Sequence, residues 1–519
     1  ATKNLRSLYL SLQNPEPCPT KAPNYPTTPP HMSSRQAIQG LVPELLWQRF
    51  YEISQIPRPS KKEERITAHF EQLFQSMGLK YTKDKVGNLV ARVPATKGRE
   101  KAPIVVLQGH SDMVCEKNRG TEHDFDRDPI QLVRHDDWIG ANGTTLGADN
   151  GIGVAAALAI AGDPTAVHGP LEILVTVDEE TGLTGANQIS GKMLQGKYLL
   201  NLDTEEDGVF CIGCAGGMDT SGVFRIKSAP APAAGHAAFA LRISGLKGGH
   251  SGTEIHVGRA NAIKLLARAL HALQPLAPHI SYLQGGSKRN AIPREAEATV
   301  VLPAAAVEKA KAIAARCEQD FQNEFRTADG GARVVLEPAP MPASVYAKPF
   351  AQKVLHALLA LPHGVVRMST DIEDLVETST NLATIVSDDT TLTIGTNQRS
   401  SVESAKRYIA ASVAAGLKLA GAKVTHTDGY PGWQPNMQSP LLETCRAAAT
   451  DLYGKAPEIK AIHAGLECGI LGGKYPGMDM ISFGPTITGA HSPDERVHIP
   501  AVEKFYDLLK RVLEALSRA

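Results

Sequence analysis

Apolar residues recur at helical spacing over residues 43–57 and again over 61–78, where Gly78 stops the run. The pattern then changes to short, nearly continuous apolar runs. Asn88–Val93, Ile104–Gln108, Leu171–Val177 and Tyr198–Leu202 read as strands, and the last two as buried ones. Gly151–Ala161 is small and apolar, as expected of a helix packed closely on a sheet. Polar chemistry follows directly on the strands: Gly109-His110 after the second, Asp178-Glu179-Glu180 after the third, Asp203 after the fourth. In open α/β sheets, sites form beyond the carboxyl ends of strands.

From 217 to 402 the organisation differs. Phe239–Ser244, Ala296–Leu302 and Thr391–Ile394 read as strands, Asn261–Leu273 and Val307–Phe325 as helices, and no strand ends in acids. This predicts a separate α+β unit. A helix over Ala405–Ala420 leads back to loops with candidate ligands, and Val502–Leu516 closes the chain with a helical pattern. The expected organisation is therefore one α/β domain from residues 36–216 and 403–519, with 217–402 inserted. Residues 1–35, rich in proline and without sustained periodicity, read as a disordered N-terminal extension.

Composition narrows the function classes. A chain of 519 residues calls for more than one domain. Its formal net charge is zero, which argues against a nucleic-acid partner. No stretch approaches the roughly 20 apolar residues that cross a bilayer, and no signal peptide is visible. Seven cysteines at irregular spacing make no disulfide framework and suit a reducing cytoplasm. Cys211 and Cys214 form a lone CxxC, read as two small apolar residues on a strand.

Five separated strings carry the chemistry: GHSDMV with His110, GADNGIG with Asp149, VDEETG with Glu179 and Glu180, LNLDTEE with Asp203, and GAHSPDE with His491. Each has a plain alternative. His110 and Asp112 could be a hydrogen-bonded turn, Asp149 a helix cap, the Glu pair and Asp203 solvated charge, and His491 an ordinary loop histidine. Together they describe a site. Histidine and carboxylate donors without cysteine suit hard-to-borderline divalent cations such as zinc or manganese. Asp112, separated from His110 by one residue and so on the same side of an extended chain, can hold the other imidazole nitrogen. Asp149, in a Gly-rich turn, could bridge two cations. Adjacent glutamates allow one to bind metal while the other takes a proton from water. His250 in GLKGGHSGTEIH sits between glycines in the inserted unit.

These strings, with CAGG, RNAIPREA, YPGWQP and IHAGLECG, resemble the metallopeptidase family that includes carboxypeptidase G, peptidase T and carnosinase. The resemblance runs from about residue 36 to the C-terminus. It implies a zinc-peptidase-like α/β/α catalytic domain with an inserted α+β lid and dimerisation domain. It also implies two divalent cations, zinc in first place with manganese or cobalt as alternatives. One would be held by His110, Asp149 and Asp203, the other by Asp149, Glu180 and His491. Glu179 would be the general base, Asp112 the partner orienting His110, and His250 a donor to the tetrahedral intermediate. Asn290 and Arg399 match positions that bind the substrate's carboxylate or carbonyl, and His463, Gly465 and Glu467 fall in a string lining the substrate pocket. The implied function is hydrolysis of dipeptides, Xaa-His among them, by a cytoplasmic homodimeric metallo-dipeptidase. The alternatives on this scaffold are an N-acyl-amino-acid amidohydrolase, a tripeptidase and a non-catalytic metal-binding relative.

Overall fold

A computed structural model describes residues 33–232 and 234–518. An eight-stranded sheet forms one half of the molecule, in the order Lys80–Lys83, Leu89–Val93, Leu171–Thr176, Val105–His110, Tyr198–Asn201, Asp479–Ser482, Val209–Cys214 and Glu458–Ile462. Its four central strands are parallel to one another. Both faces are covered, which explains the continuous apolar runs. Val105, Leu107, Leu171, Ile173, Val175 and Leu200 enter one core, while Val106, Leu174 and Leu199 enter another. This is the alternation that a strand imposes on successive side chains. Helices Glu44–Ser54, Glu64–Ser76, Ala148–Gly162, Pro440–Tyr453 and Ile499–Leu516 pack into the first core. Helix Glu467–Lys474 and residues around 186–189 cover the second. The result is an α/β/α sandwich, and burial of a side chain such as Phe50 contributes about 1.5–3 kcal/mol to it.

The second half is a nine-stranded antiparallel sheet. Its path runs Arg333–Pro338, His236–Ser244, Ala296–Pro303, His279–Gly285, Val376–Ser387, Thr391–Ser400, Gly216–Arg225 and Lys423–His426, with Gly364–Met368 paired to Val376–Ser387. Helices Ala262–Ala272, Val307–Glu324, Lys348–Ala360 and Glu403–Leu419 pack into its main core, giving an α+β layer pair. The first of these helices starts where Asn261 Oδ1 accepts the N–H groups of Ile263 and Lys264 at 3.0 and 3.1 Å.

The chain leaves this sheet later than the sequence suggested. The return was expected at residue 403, yet Val413 and Leu417 of helix Glu403–Leu419 belong to the core of the nine-stranded sheet, and Lys423–His426 is one of its strands. The apolar face of that helix fits either sheet equally well as a pattern, so periodicity alone misplaces it. Residues 1–32 of the expected N-terminal extension lie outside the described residues, whereas Ser34 and Arg35 belong to a short helix, Ser34–Ala37.

A small four-stranded sheet matters for the site. It pairs Ile487–Thr488 with Arg496–His498, and the latter with Trp138–Ala141, which pairs in turn with Leu132–His135. It anchors the loop of His491 beside the segment that leads to Asp149.

Candidate active site

His110 is the last residue of its strand, in register with Thr176, and Asp203 follows the neighbouring parallel strand by two residues. Strand pairing therefore places both donors at one sheet edge. Asp149 arrives from the start of helix Ala148–Gly162, but it is not the cap anticipated as its alternative. Gly147 holds the cap position, and Asp149 has a non-helical backbone at φ −76°, ψ 112°.

The side chains converge. His110 Nε2 lies 3.1 Å from Asp149 Oδ1 and 3.4 Å from Asp203 Oδ1. His491 Nε2 lies 3.3 Å from Asp149 Oδ2 and 3.0 Å from Glu180 Oε2. The two oxygens of Asp149 thus face different histidines. Ligand atoms of His110, Asp149 and Glu180 all fall within 4.8 Å of one another. Asp112 sits behind them, its Oδ1 3.3 Å from His110 Nδ1, a close approach that is not aligned as a hydrogen bond. The Asp112 carboxylate also accepts the N–H groups of Glu179 at 3.0 Å and Glu180 at 3.2 Å and the hydroxyl of Ser60 at 2.7 Å.

Negative charge exceeds what the protein's own donors can satisfy. Glu180 Oε1, Asp203 Oδ1 and Glu467 Oε1 are buried without a hydrogen-bond partner among the described residues. Burial, aided by Asp149 among other carboxylates, pushes the Asp203 carboxyl up to about 7. Burial also raises Glu467 to about 7, and burial with Asp149 and Asp203 raises Glu205 to about 8. Glu179 is pushed well above the carboxylate range by burial and by Asp203, Glu467 and Glu180. The imidazoles respond in kind. Asp149 and Glu180 hold His491 up to about 11, and at His110 the surrounding carboxylates, led by Asp203, overcome burial and raise it. For Asp112, burial is outweighed by His110, Ser60 and the Glu179 N–H, which hold it down to about 2. Such a basket suits divalent cations, which keep crowded carboxylates ionised and take up unpartnered oxygens.

A second group forms around Arg399, on strand Thr391–Ser400. Arg399 Nη1 donates to Tyr430 Oη at 2.9 Å and Nε to Ser251 Oγ at 3.4 Å. The N–H of Ser251 donates to the Asn290 carbonyl at 2.9 Å, while Asn290 itself is exposed. His250 Nδ1 accepts from the N–H of Gly252 at 3.3 Å and of Thr253 at 3.1 Å. That leaves Nε2 as the protonated nitrogen, and burial together with Arg399 lowers its pKa, so the ring is a neutral donor. Buried His463 has Nε2 2.7 Å from Ser379 Oγ, and burial plus Arg399 lowers it to about 3. Gly252 is required by close approach: a Cβ there would lie 2.1 Å from the His463 carbonyl. A Cβ on Gly465 would lie 2.8 Å from the Tyr430 ring. The 463–467 loop joins the two groups, because Glu467 reaches back to Gln108 Nε2 at 2.6 Å and Thr176 Oγ1 at 2.7 Å.

Sequence reasoning missed three contributors. Glu205, not singled out in the sequence, faces Asp149 and Asp203. Its position two residues past Asp203 was the available signal. Gln108 and Asn201 each lie two residues before a candidate ligand and are buried, with Asn201 Nδ2 donating to Gln108 Oε1 at 2.6 Å. Polar residues inside apolar strand runs were the signal there. Cys211 and Cys214 lie buried on strand Val209–Cys214, and the six cysteines among the described residues are all free.

Comparison with known proteins places the chain in context. Residues 106–515 match the description of peptidase family M20/M25/M40. The chain is 42% identical over 481 residues to the cytosol non-specific dipeptidase of Escherichia coli K12, spanning 92% of this chain and 99% of that protein. Its structure is similar to that of aminoacylhistidine dipeptidase from Vibrio alginolyticus, with a TM-score of 0.86 and 42% identity over 92% of this chain and 98% of the other. The aminopeptidase PepT of Bacillus cereus matches with a TM-score of 0.53 at 16% identity over 92% and 99% of the two chains, a likeness of fold alone.

Proposed function

The chain belongs to peptidase family M20/M25/M40, and on that premise we propose that it is a metal-dependent dipeptidase with two cations at the basket around Asp149. Dipeptide hydrolysis follows from the 42% identity that spans nearly the whole of both this chain and the E. coli dipeptidase. The observation that most supports the site is the division of Asp149, with one oxygen toward His110 and the other toward His491. His110, Asp149 and Asp203 would hold one cation, and Asp149, Glu180 and His491 the other. Zinc suits this donor set, with manganese or cobalt as alternatives. When bound, the cations supply Lewis-acid polarisation of the scissile carbonyl and lower the pKa of water.

The remaining steps belong to the chain's own residues. Glu179, made basic by burial and neighbouring carboxylates, takes the proton of the attacking water and returns it to the leaving amine. Asp112 holds the Glu179 and Glu180 backbone in place and restrains the His110 ring. His250 offers its Nε2–H to the developing oxyanion. Arg399 has no carboxylate partner among the described residues and suits the terminal carboxylate of a short peptide. Asn290, His463, Gly465 and Glu467 shape the pocket around that end.

A homodimer and a cytoplasmic location belong to this proposal. Strand Gly364–Met368 is an edge of the nine-stranded sheet with Val365, Val366 and Met368 exposed at 39, 44 and 43%, a surface that suits pairing with a second copy. Free cysteines suit a reducing compartment, and no helix among the described residues is long and apolar enough to cross a membrane.

The deciding experiment measures metal content and kcat/KM on unblocked dipeptides, tripeptides and N-acetyl amino acids. Dipeptides, including Xaa-His, are expected to be the best substrates, and chelation to abolish turnover. Preference for acetylated amino acids or tripeptides would move the assignment to those alternatives. A metal-loaded protein inert on all three would be the non-catalytic relative.

A further inference from the structure

Two buried charges join the loops of His110, Asp149 and His491, and neither has a role so far. Arg58 is 2% exposed and Glu495 is 3% exposed. Arg58 Nη1 donates to the carbonyls of Ser111 at 2.9 Å and Asp112 at 2.7 Å, and Nη2 donates to the carbonyl of Gly147. Glu495 Oε2 accepts the N–H groups of Leu146 at 2.7 Å and Gly147 at 2.9 Å, and Oε1 those of Ala148 at 2.7 Å and Asp149 at 3.2 Å. Segment 146–149 is therefore gripped through its amides by one charge and through a carbonyl by the other. Gly147 is needed for this. Its φ is +70°, and a Cβ there would lie 2.4 Å from Arg58 Nη2.

Each grip reaches a different ligand loop. Arg58 ties the segment to the residues directly after His110. Glu495 lies four residues after His491, and its own N–H donates to the Ser492 carbonyl at 3.0 Å. His491 itself has a left-handed backbone at φ 63°, which persists only where its surroundings fix it. Asp149 has departed from helical geometry, so the helix does not fix its carboxylate. Yet that carboxylate meets two histidines at 3.1 and 3.3 Å. Burying a charge costs several kcal/mol, and a buried charge is weak evidence for stability, whereas setting register is its best-attested use.

We propose that Arg58 and Glu495 are positioning residues that set the spacing of His110, Asp149 and His491, and with it the affinity of the basket for its cations. This rests on the reading of those three residues as metal holders. The test titrates chelator-stripped protein with Zn2+ alone, using wild type, Glu495→Gln and Arg58→Lys. Folding is followed by circular dichroism in chelator. Glu495→Gln keeps the shape but removes two acceptor positions from four N–H donors. Arg58→Lys keeps the charge but loses the fork that reaches three carbonyls. Both variants should fold in chelator and bind Zn2+ about 10- to 100-fold more weakly, the effect usual for groups that orient metal ligands. At saturating metal, kcat should fall while KM for a dipeptide stays within about threefold, because neither residue touches the Arg399 pocket. Should Glu495→Gln fail to fold, Arg58→Lys carries the measurement. A folded variant with wild-type Zn2+ affinity would overturn the proposal, as would loss of fold by both variants in chelator, which would make them general structural residues. Wild-type protein that takes up no Zn2+ would instead refute the reading of the basket itself.

Discussion

The basket around Asp149 and the pocket around Arg399 are built on opposite principles. The basket gathers Asp149, Glu179, Glu180, Asp203, Glu205 and Glu467 around only two imidazoles, and several of its carboxyls are pushed upward. The pocket places a guanidinium beside two histidines whose pKa values it helps to depress. The first is a surplus of negative charge that demands cations, and the second a surplus of positive charge that demands an anion. Backbone architecture accounts for the difference. The basket lies at the carboxyl ends of parallel strands, where several loops meet. The pocket is assembled from the nine-stranded sheet, where Ser379 and Arg399 face each other across neighbouring strands, and from the loops of His250, Tyr430 and His463. On the proposed function, a peptide bridging the two regions would have its scissile carbonyl at the basket and its carboxylate at the pocket.

The contrast breaks most severely at Glu179. Glu179→Gln removes the proposed proton acceptor but no proposed metal ligand. Turnover should fall by about 10²- to 10⁴-fold with metal content unchanged. Metal analysis beside steady-state kinetics reads both, and an active variant would take the proton step away from Glu179. The pocket breaks next, at Arg399. Arg399→Ala should raise KM for dipeptides about 10- to 100-fold, the worth of a hydrogen bond to a charged group. A dipeptide amide, which lacks the carboxylate, should lose nothing further in the variant. Equal losses on acid and amide would mean that Arg399 supports the fold of the pocket rather than the substrate.

The charge surplus also predicts a pH dependence for the chelator-treated protein. Glu467 and Asp203 rise to about 7 on folding, so between pH 4 and 7 the unfolded chain ionises first and stability is lost as pH rises. The loss is on the order of 3–4 kcal/mol for each. His491, raised to about 11, acts in the same sense: its contribution is full below its ordinary value of 6.5 and is lost as pH rises toward 11. Asp112, lowered to about 2, acts oppositely and only at the acid end, where stability is lost as pH falls below 4. A cation reverses the main trend, because its ligands must be deprotonated. The rise in unfolding midpoint on adding Zn2+ should therefore grow from pH 5 to 8. A constant increment would mean that the basket carboxyls are not what the metal relieves.

The two regions were not equally legible in the sequence. His110, Asp203 and Glu179–Glu180 follow nearly continuous apolar runs that read as strands, so the rule for parallel sheets brought them to one edge. Asp149 and His491 follow no apolar run that reads as a strand, and only their place in recognisable strings suggested them. Arg58 and Glu495 were hidden because their partners are backbone groups, which every residue possesses. Gln108 and Asn201 were hidden inside strands read for their apolar neighbours. The inserted unit was legible as a change of style, but its end was not. Helix Glu403–Leu419 has an apolar face that says it is covered without saying by which sheet.

Tyr430 offers the finest test of the comparison. Its hydroxyl takes one arm of the Arg399 fork at 2.9 Å, and its ring fills the space against Gly217 and Gly465, where a Cβ would lie 2.6 and 2.8 Å away. Tyr430→Phe keeps the ring and removes the acceptor. The loss of one hydrogen bond is worth about 0.5–1.5 kcal/mol, so KM for dipeptides should rise about 3- to 10-fold while kcat and metal content hold. Gly465→Ala attacks the same contact from the ring side and should cost more, because the alanine methyl would have to displace the aromatic body. If Tyr430→Phe changed metal affinity instead of KM, the pocket and the basket would be one coupled unit, and the division between anion-seeking and cation-seeking regions would fail.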